Sequence, residues 1–306
     1  MKINNAFVKA FLIIGLILTV FGGLIFSVAM TANGWNFGVL SSHVVEKRVI
    51  EITDTAEIDA ISSVKIELAT ADVNIVHHDE DKIIIECYDL VTRKGNVVRK
   101  ATATVINGEL FIKLERMKNV VLEFGSLGNE QVTVKLPKDK VVGFNVKVST
   151  GDIFVGETGK ACAFTNLSFN TSTGDVTFLG NVDANQVTIN NDTGDVFING
   201  KLNVDTFKRT ASTGDVNVNA TVKAEQFNVK NTTGDVNCSA YIDVKTINIT
   251  TSTGDVTLKL VGPKTDYNYS YEISTGESNI SAFANAGATK TITITCSTGD
   301  ANVYFG

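Results

Sequence analysis

Cysteine, histidine and positive charge are all scarce in this sequence, and each scarcity removes a class of function. Four cysteines occur, Cys87, Cys162, Cys238 and Cys296, and no two are close enough for a C-x-x-C pair. A zinc knuckle or dithiol redox motif therefore has no ligands. Disulfides stay open to a chain outside the cytosol. Cys238, however, takes a repeat slot held elsewhere by Phe178, Ile198, Val218 and Leu258, so packed free thiols are the expectation. The formal net charge is −6. A phosphate-binding surface needs a basic patch, so nucleic acid is excluded as a partner.

Charge of either sign is missing from residues 10–30, AFLIIGLILTVFGGLIFSVAM, a run of 21. At helical rise the run spans about 31 Å, the hydrocarbon thickness of a bilayer. It is too long, and too apolar on every face, for a buried core helix. It reads as a transmembrane anchor, so the membrane is a partner through residues 10–30. A cleaved signal peptide is the rival, since Ser27–Ala29 offers small residues, but the stretch exceeds the usual signal core. Lys2 and Lys9 precede the run, and no Lys or Arg follows before Lys47. The positive-inside rule then sets residues 1–9 in the cytoplasm and the main domain outside, as a single-pass cell-membrane protein. No cysteine follows the run closely, so a lipoprotein anchor is not indicated.

What the sequence has in plenty is one motif. Thr-Gly-Asp or a close variant recurs with its glycine at 151, 174, 194, 214, 234, 254, 276 and 299, in steps of 23, 20, 20, 20, 20, 22 and 23. A period near 20 marks a stacked array. Within each unit the apolar residues fall in pairs spaced by two, for example Leu202 and Val204, Val187 and Ile189, Val196 and Ile198. That is strand periodicity with one face buried. Three short half-buried strands per unit predict one coil of a β-solenoid, stacked on the next at about 4.8 Å. The expected fold class is all-β: a single-stranded parallel β-helix of about 20 residues per coil. Right-handedness is favoured by the bias of parallel crossovers, and no hexapeptide rhythm argues for the left hand.

The structural-turn residues are Gly151, Asp152, Gly174, Asp175, Gly194, Asp195, Gly214, Asp215, Gly234, Asp235, Gly254, Asp255, Gly276, Gly299 and Asp300, with Glu277 in the remaining acidic place. Glycine supplies positive φ at a sharp corner, and Asp with the preceding Ser or Thr bonds nearby backbone N–H groups. Calcium is the functional reading of the same column. Carboxylates about 4.8 Å apart repel by about 0.9 kcal/mol in a water-like dielectric. One carboxylate per turn without a second acidic partner falls short of a calcium cage, so no metal and no cofactor are expected. Arg209 breaks the pattern, standing where Ile189, Val229 and Ile249 stand. An unpaired inward Arg would be costly, so either the FKRTA segment bulges and Arg209 points outward, or Arg209 is paired; a bulge is expected ahead of a binding role.

Residues 31–57 read as a tether, and the solenoid begins near 58 with a degenerate unit at 64–76 in which Ala71 replaces the glycine. From 80 to 140 the strands lengthen, and Asn107-Gly108 signals a hairpin. An antiparallel cap over the amino-terminal end follows. At the other end Tyr304 and Phe305 are expected to fold over the last coil, with residues 262–272 as further cover.

The STGDV series after an amino-terminal anchor resembles a bacterial family of envelope proteins catalogued as a "putative adhesin" domain, which includes the LiaG-like proteins. The resemblance covers about residues 58–306. It implies a membrane-linked extracytoplasmic β-solenoid with an adhesion or envelope-stress role, and it brings no catalytic residues. The function expected is non-enzymatic contact with an envelope polymer or protein. The alternative is a β-helix enzyme on a polysaccharide, which needs paired carboxylates in a groove. The cluster His77-His78-Asp79-Glu80-Asp81 reads as a solvated strand-end loop rather than a metal site.

Overall fold

The structure is a computed structural model that describes residues 19–24, 27, 28, 31, 43–92, 95–116 and 131–306. Apolar alternation builds the repeated part. Strand β10 (Ala161–Thr173) buries Cys162, Phe164, Leu167, Phe169 and Thr171. The step from Phe164 to Leu167 is three residues rather than two, so the strand kinks and still turns both halves inward. Its ladder with β12 (Asn181–Thr193) omits Thr165 at that kink. A Gly-Asp corner follows, then the short strand β11 (Val176–Phe178). The pattern repeats with β13 (Val196–Ile198), β14 (Leu202–Thr213), β15 (Val216–Val218), β16 (Val222–Thr233) and β17 (Val236–Thr253). The expected three strands per coil become two, because the first two are one kinked strand.

Successive coils pair in parallel with a step of twenty, as in Ile189↔Arg209↔Val229↔Ile249. Like therefore lies over like. Phe207 and Phe227 stack with ring centroids 4.8 Å apart and 11° between planes, which is the strand spacing itself. Both are fully buried, each contributing about 1.5–3 kcal/mol of burial free energy. One contiguous apolar core runs the length of the stack.

At the amino-terminal end β2 (Ser63–Thr70) and β3 (Asp72–His78) lie beside β8 (Gly143–Thr150) and β9 (Ile153–Val155) in parallel. On their other side β6 (Glu109–Arg116) and β7 (Gln131–Pro137) are also parallel to them. Strands β4 (Ile83–Thr92) and β5 (Val97–Ile106) join through antiparallel pairs. The cap around 80–140 is thus only partly antiparallel. Asn107 and Gly108, at φ 51° and 78°, close the β5–β6 hairpin, as the Asn-Gly signal requires. The tether reading of 31–57 is corrected from residue 43 onward. β1 (His43–Ile52) pairs antiparallel with β4 over its whole length. Helix α1 (Thr55–Ala60) follows, with Asp54 accepting the Ala56 N–H as its cap.

At the carboxyl end, space and sequence part company. After β18 (Val256–Leu260) the chain forms β19 (Tyr267–Thr275), then β20 (Lys290–Thr298) and β21 (Ala301–Phe305). β20 lies directly on β17, and β19 lies outside β20. The last coil in sequence is therefore next to last in space. Tyr304 and Phe305 are not the lid: Tyr304 is 48% exposed, and the cover is the segment from β19 through residue 289. Tyr269 and Phe283 bridge across it, and Asn279 exchanges two hydrogen bonds with Val303.

The anchor expected at 10–30 falls largely outside the described residues, of which 19–24, 27 and 28 are helical. Among the described residues no helix is long and apolar enough to cross a membrane.

Candidate functional site

The corner glycines have φ between +130° and +146°, a region that L side chains rarely adopt. Space is as strict as torsion. A Cβ on Gly214 would stand 2.0 Å from the carbonyl oxygen of Gly194, and the other column members meet their predecessors at 2.0 to 2.2 Å. The glycine thus lets one coil rest on the carbonyl of the coil before it, beyond merely turning the chain.

The aspartates work between coils as well. The amide of each acidic residue donates to Oδ1 of the preceding Asp, through Asp72, Asp152, Asp175, Asp195, Asp215, Asp235, Asp255 and Asp300 to Glu277, at 2.7–2.9 Å. The expected local turn bonds are replaced by a ladder along the stack. Burial, foremost, raises the Asp175 carboxyl above its ordinary value, and the Asp152 and Asp195 charges add to this against the Asp195 amide. The ends of the column confirm the logic of each part. Among the described residues Ala71 comes first and, lacking the positive φ of the others, supplies the carbonyl under Gly151. Glu277 comes last in space, and among the described residues no further coil amide donates to its carboxylate. That Asp-to-Glu change was the sequence signal that the 276 unit ends the stack.

Because the Asp amide bonds a carboxylate, the Gly carbonyl is left for donors inside the coil. Asn191 donates to Gly194 O, Asn231 to Gly214 O and Thr251 to Gly234 O. Arg209 belongs to this inner column and does not bulge outward. It is fully buried, and its two terminal nitrogens donate to Gly214 O, Gly194 O and Asn231 Oδ1 at 2.6–2.8 Å. Burial brings its pKa from 12.5 down to about 10, opposed by the Asp195 and Asp215 charges, so the guanidinium is charged at neutral pH. All four cysteines are free and buried. Burial pushes the thiols of Cys87, Cys162 and Cys238 up to about 11, 12 and 12.

The same corner shapes a groove. The ladder skips Ser172, running from Thr171↔Asn191 to Thr173↔Thr193, so the chain bends there and its side chains diverge. A groove of about 450 Å³ results. One wall is Lys147, Asn170, Asn190, Thr210 and Lys230; the other is Ser149, Ser172, Asp192, Ser212 and Thr232; Val148, Thr171, Asn191 and Ala211 form the floor. It crosses five strands, about 19 Å at the usual spacing. Its chemistry is hydroxyls and amides with a lysine at each end and one carboxylate. Sequence reading missed this groove, whose signal was the recurrent outward Ser, Thr and Asn beside each corner. Among the described residues no group of three or more His, Cys, Asp or Glu is placed to hold a metal ion. The Asp ladder itself offers one carboxylate per coil, with Oδ1 already engaged.

A family model described as Toastrack DUF4097 matches residues 61–304. No curated protein matches. Solved structures do. A "putative adhesin" of Bacteroides fragilis is 12% identical with a TM-score of 0.51, covering 86% of this chain and 97% of that one. A "putative lipid binding protein" of Parabacteroides distasonis is 12% identical with a TM-score of 0.43, covering 85% and 96%. A "putative adhesin" of the same organism is 12% identical with a TM-score of 0.37, covering 85% and 97%. The first of these likenesses shows a shared fold.

Proposed function

We propose a role for this chain from one premise: it belongs to the Toastrack DUF4097 family. It is a non-enzymatic, adhesin-type binding protein of the cell envelope, built as a single-stranded, right-handed parallel β-helix. Residues 10–30 anchor it, residues 1–9 lie in the cytoplasm and the β domain stands outside. The observation that carries the reading is the polar groove across five coils. Its donors and acceptors repeat at the strand spacing on a rigid sheet, which suits a linear polymer lying along the stack. A hydrolase acting there would need a second carboxylate, and Asp192 is the one in the lining. The adhesin-like fold neighbour points the same way.

Co-sedimentation of the chain with isolated cell-wall polymer tests the proposal. Reversing the end charges with Lys147→Glu and Lys230→Glu, and filling the groove with Ser212→Trp, are each expected to weaken binding by about tenfold, roughly 1.4 kcal/mol. Binding unchanged in both variants would remove the groove from the function.

A further inference from the structure

The stack stops at β19 with part of its edge open. Each coil inside it makes three kinds of contact with its outer neighbour. The corner glycine amide donates to the next threonine carbonyl, as Gly254 does to Thr298 and Gly299 to Thr275, at 2.9–3.0 Å. The Asp carboxylate accepts the next acidic residue's amide, as Asp300 does from Glu277. The strand edge itself is paired, as β20 is by β19. On β19 the first half of the outer edge is closed: Tyr269 exchanges two backbone bonds with Phe283, and the Asn285 side chain donates to Tyr267 O. From Tyr271 onward, among the described residues, no strand lies on that edge.

Backbone groups alternate in direction along a strand. With Tyr269 bonded to Phe283, the N–H groups of Tyr271 and Ile273 face the same open side. The ladder then skips Ser274, and Thr275 O turns inward to the Gly299 amide. A trans peptide sets its N–H opposite its C=O, so the Gly276 N–H points outward. Beyond it stands the open carboxylate of Glu277. Tyr271 is 38% exposed, Glu272, Gly276 and Glu277 are exposed, and Ile273 is half-buried against the core. Neither glutamate is in an ion pair among the described residues. Such an edge repels a second copy of itself, because Glu272 and Glu277 would meet like charges. It favours a basic strand. Rows of N–H and C=O at the strand spacing are what a peptide, not a sugar polymer, supplies.

We propose that the open edge from Tyr271 to Glu277 takes an extended strand of a protein partner by parallel strand addition. The strand places apolar residues over Tyr271 and Ile273, a basic residue beside Glu272, a glycine on the Gly276 carbonyl and the following amide on the Glu277 carboxylate. These are the demands that each coil already makes of the next. The chain itself contains a segment that meets them all, residues 145–155, NVKVSTGDIFV. In the register of the stack, Val146 and Val148 stand in the rows that end at Tyr271 and Ile273, and Lys147 in the row that ends at Glu272. That segment is buried between coils in its own chain, so as a free peptide it serves as the probe.

Fluorescence anisotropy of the labelled 145–155 peptide, titrated with the full chain in mild detergent, decides the matter. The peptide is expected to bind. Carrying Lys147→Glu or Gly151→Ala within the peptide is expected to weaken binding by at least about tenfold each, the second because a Cβ would strike the Gly276 carbonyl. On the chain, Ile273→Pro removes only an outward N–H, a change that edge strands tolerate. With melting like the parent's, it is expected to lose the peptide. Glu272→Lys is expected to reverse the preference, so that the Lys147→Glu peptide binds better than the original. No binding up to about 1 mM, equal binding of the Gly151→Ala peptide, or an unchanged preference in Glu272→Lys overturns the proposal. So does sedimentation of the chain alone if it shows association that Ile273→Pro abolishes, since the occupant is then a second copy. None of these outcomes bears on the polymer groove, whose test uses different variants of the chain.

Discussion

At Gly214 an added methyl would meet the Gly194 carbonyl oxygen at 2.0 Å, on a residue whose φ is +136°. Both penalties act together, because backbone on backbone cannot yield as a side-chain tip can. Gly214→Ala is therefore expected to cost about 3 kcal/mol or more, read from chemical denaturation of the chain; a change below about 0.5 kcal/mol would refute the stacking account. The neighbouring acid is under a different demand. Asp235 accepts the Asp255 amide at 2.8 Å and stands among like charges. Asp235→Asn keeps an acceptor oxygen and removes repulsion, so stability is expected to hold within about 0.5 kcal/mol or to rise. Asp235→Ala strands the Asp255 amide and is expected to lose about 1 kcal/mol. If both variants destabilise alike, the carboxylate charge matters to more than the ladder. The residue types at the corners were legible in sequence, but their partners were not. Glycine and aspartate fit a tight turn as readily as a contact with the next coil, and only the stacked arrangement separates the two. The sequence leaves Arg209 undecided between a bulge and a paired inward path for a related reason. Its acceptors are carbonyls of Gly194 and Gly214, and backbone groups carry no sequence signature.

At the scale of elements, the outer segment behind β18 is an insertion with a defined length. Gly254 and Gly299 are neighbours in the stack but 45 residues apart in the chain, which exceeds the 20-residue coil by 25. Excising 265–289 removes 25 residues and restores the interval of the other coils. The shortened chain is expected to keep its coils and to expose the free edge of β20, a template for other chains. Concentration-dependent association by sedimentation, with far-ultraviolet dichroism of β type retained, is the outcome expected. Loss of the β signal would mean that the outer segment nucleates the stack; a strictly monomeric product would mean that it is not the cover. The amino-terminal end shows how far element reading reaches. The hairpin at Asn107-Gly108 was readable, because both residues at positive φ are strong local signals. The ten-residue β1 was not, because its pairing partner β4 is supplied by tertiary structure.

One contiguous core links the described coils, each coil pairs with its neighbours, and stability therefore grows coil by coil. A line of carboxylates along one edge invites cations, yet each Oδ1 from Asp72 to Asp300 already accepts an amide in the ladder. Melting of the chain is therefore expected to be the same in millimolar calcium and in chelator, and calorimetric titration is expected to show no tight uptake. Several tight sites with a large rise in Tm would make the Asp column a metal site.

The sequence by itself determined the strand class, the coil length and the positions of the corners, because a period of two nested in a period of twenty leaves few ways to bury the apolar face. Tertiary structure alone decided the order of the last two coils, the inward path of Arg209, the parallel seating of β6 and β7, and the polar groove. Each of these depends on which surface a segment meets after the chain has turned. Such meetings arise from backbone stacking between residues 20 to 80 positions apart, a separation at which local pattern no longer specifies the partner.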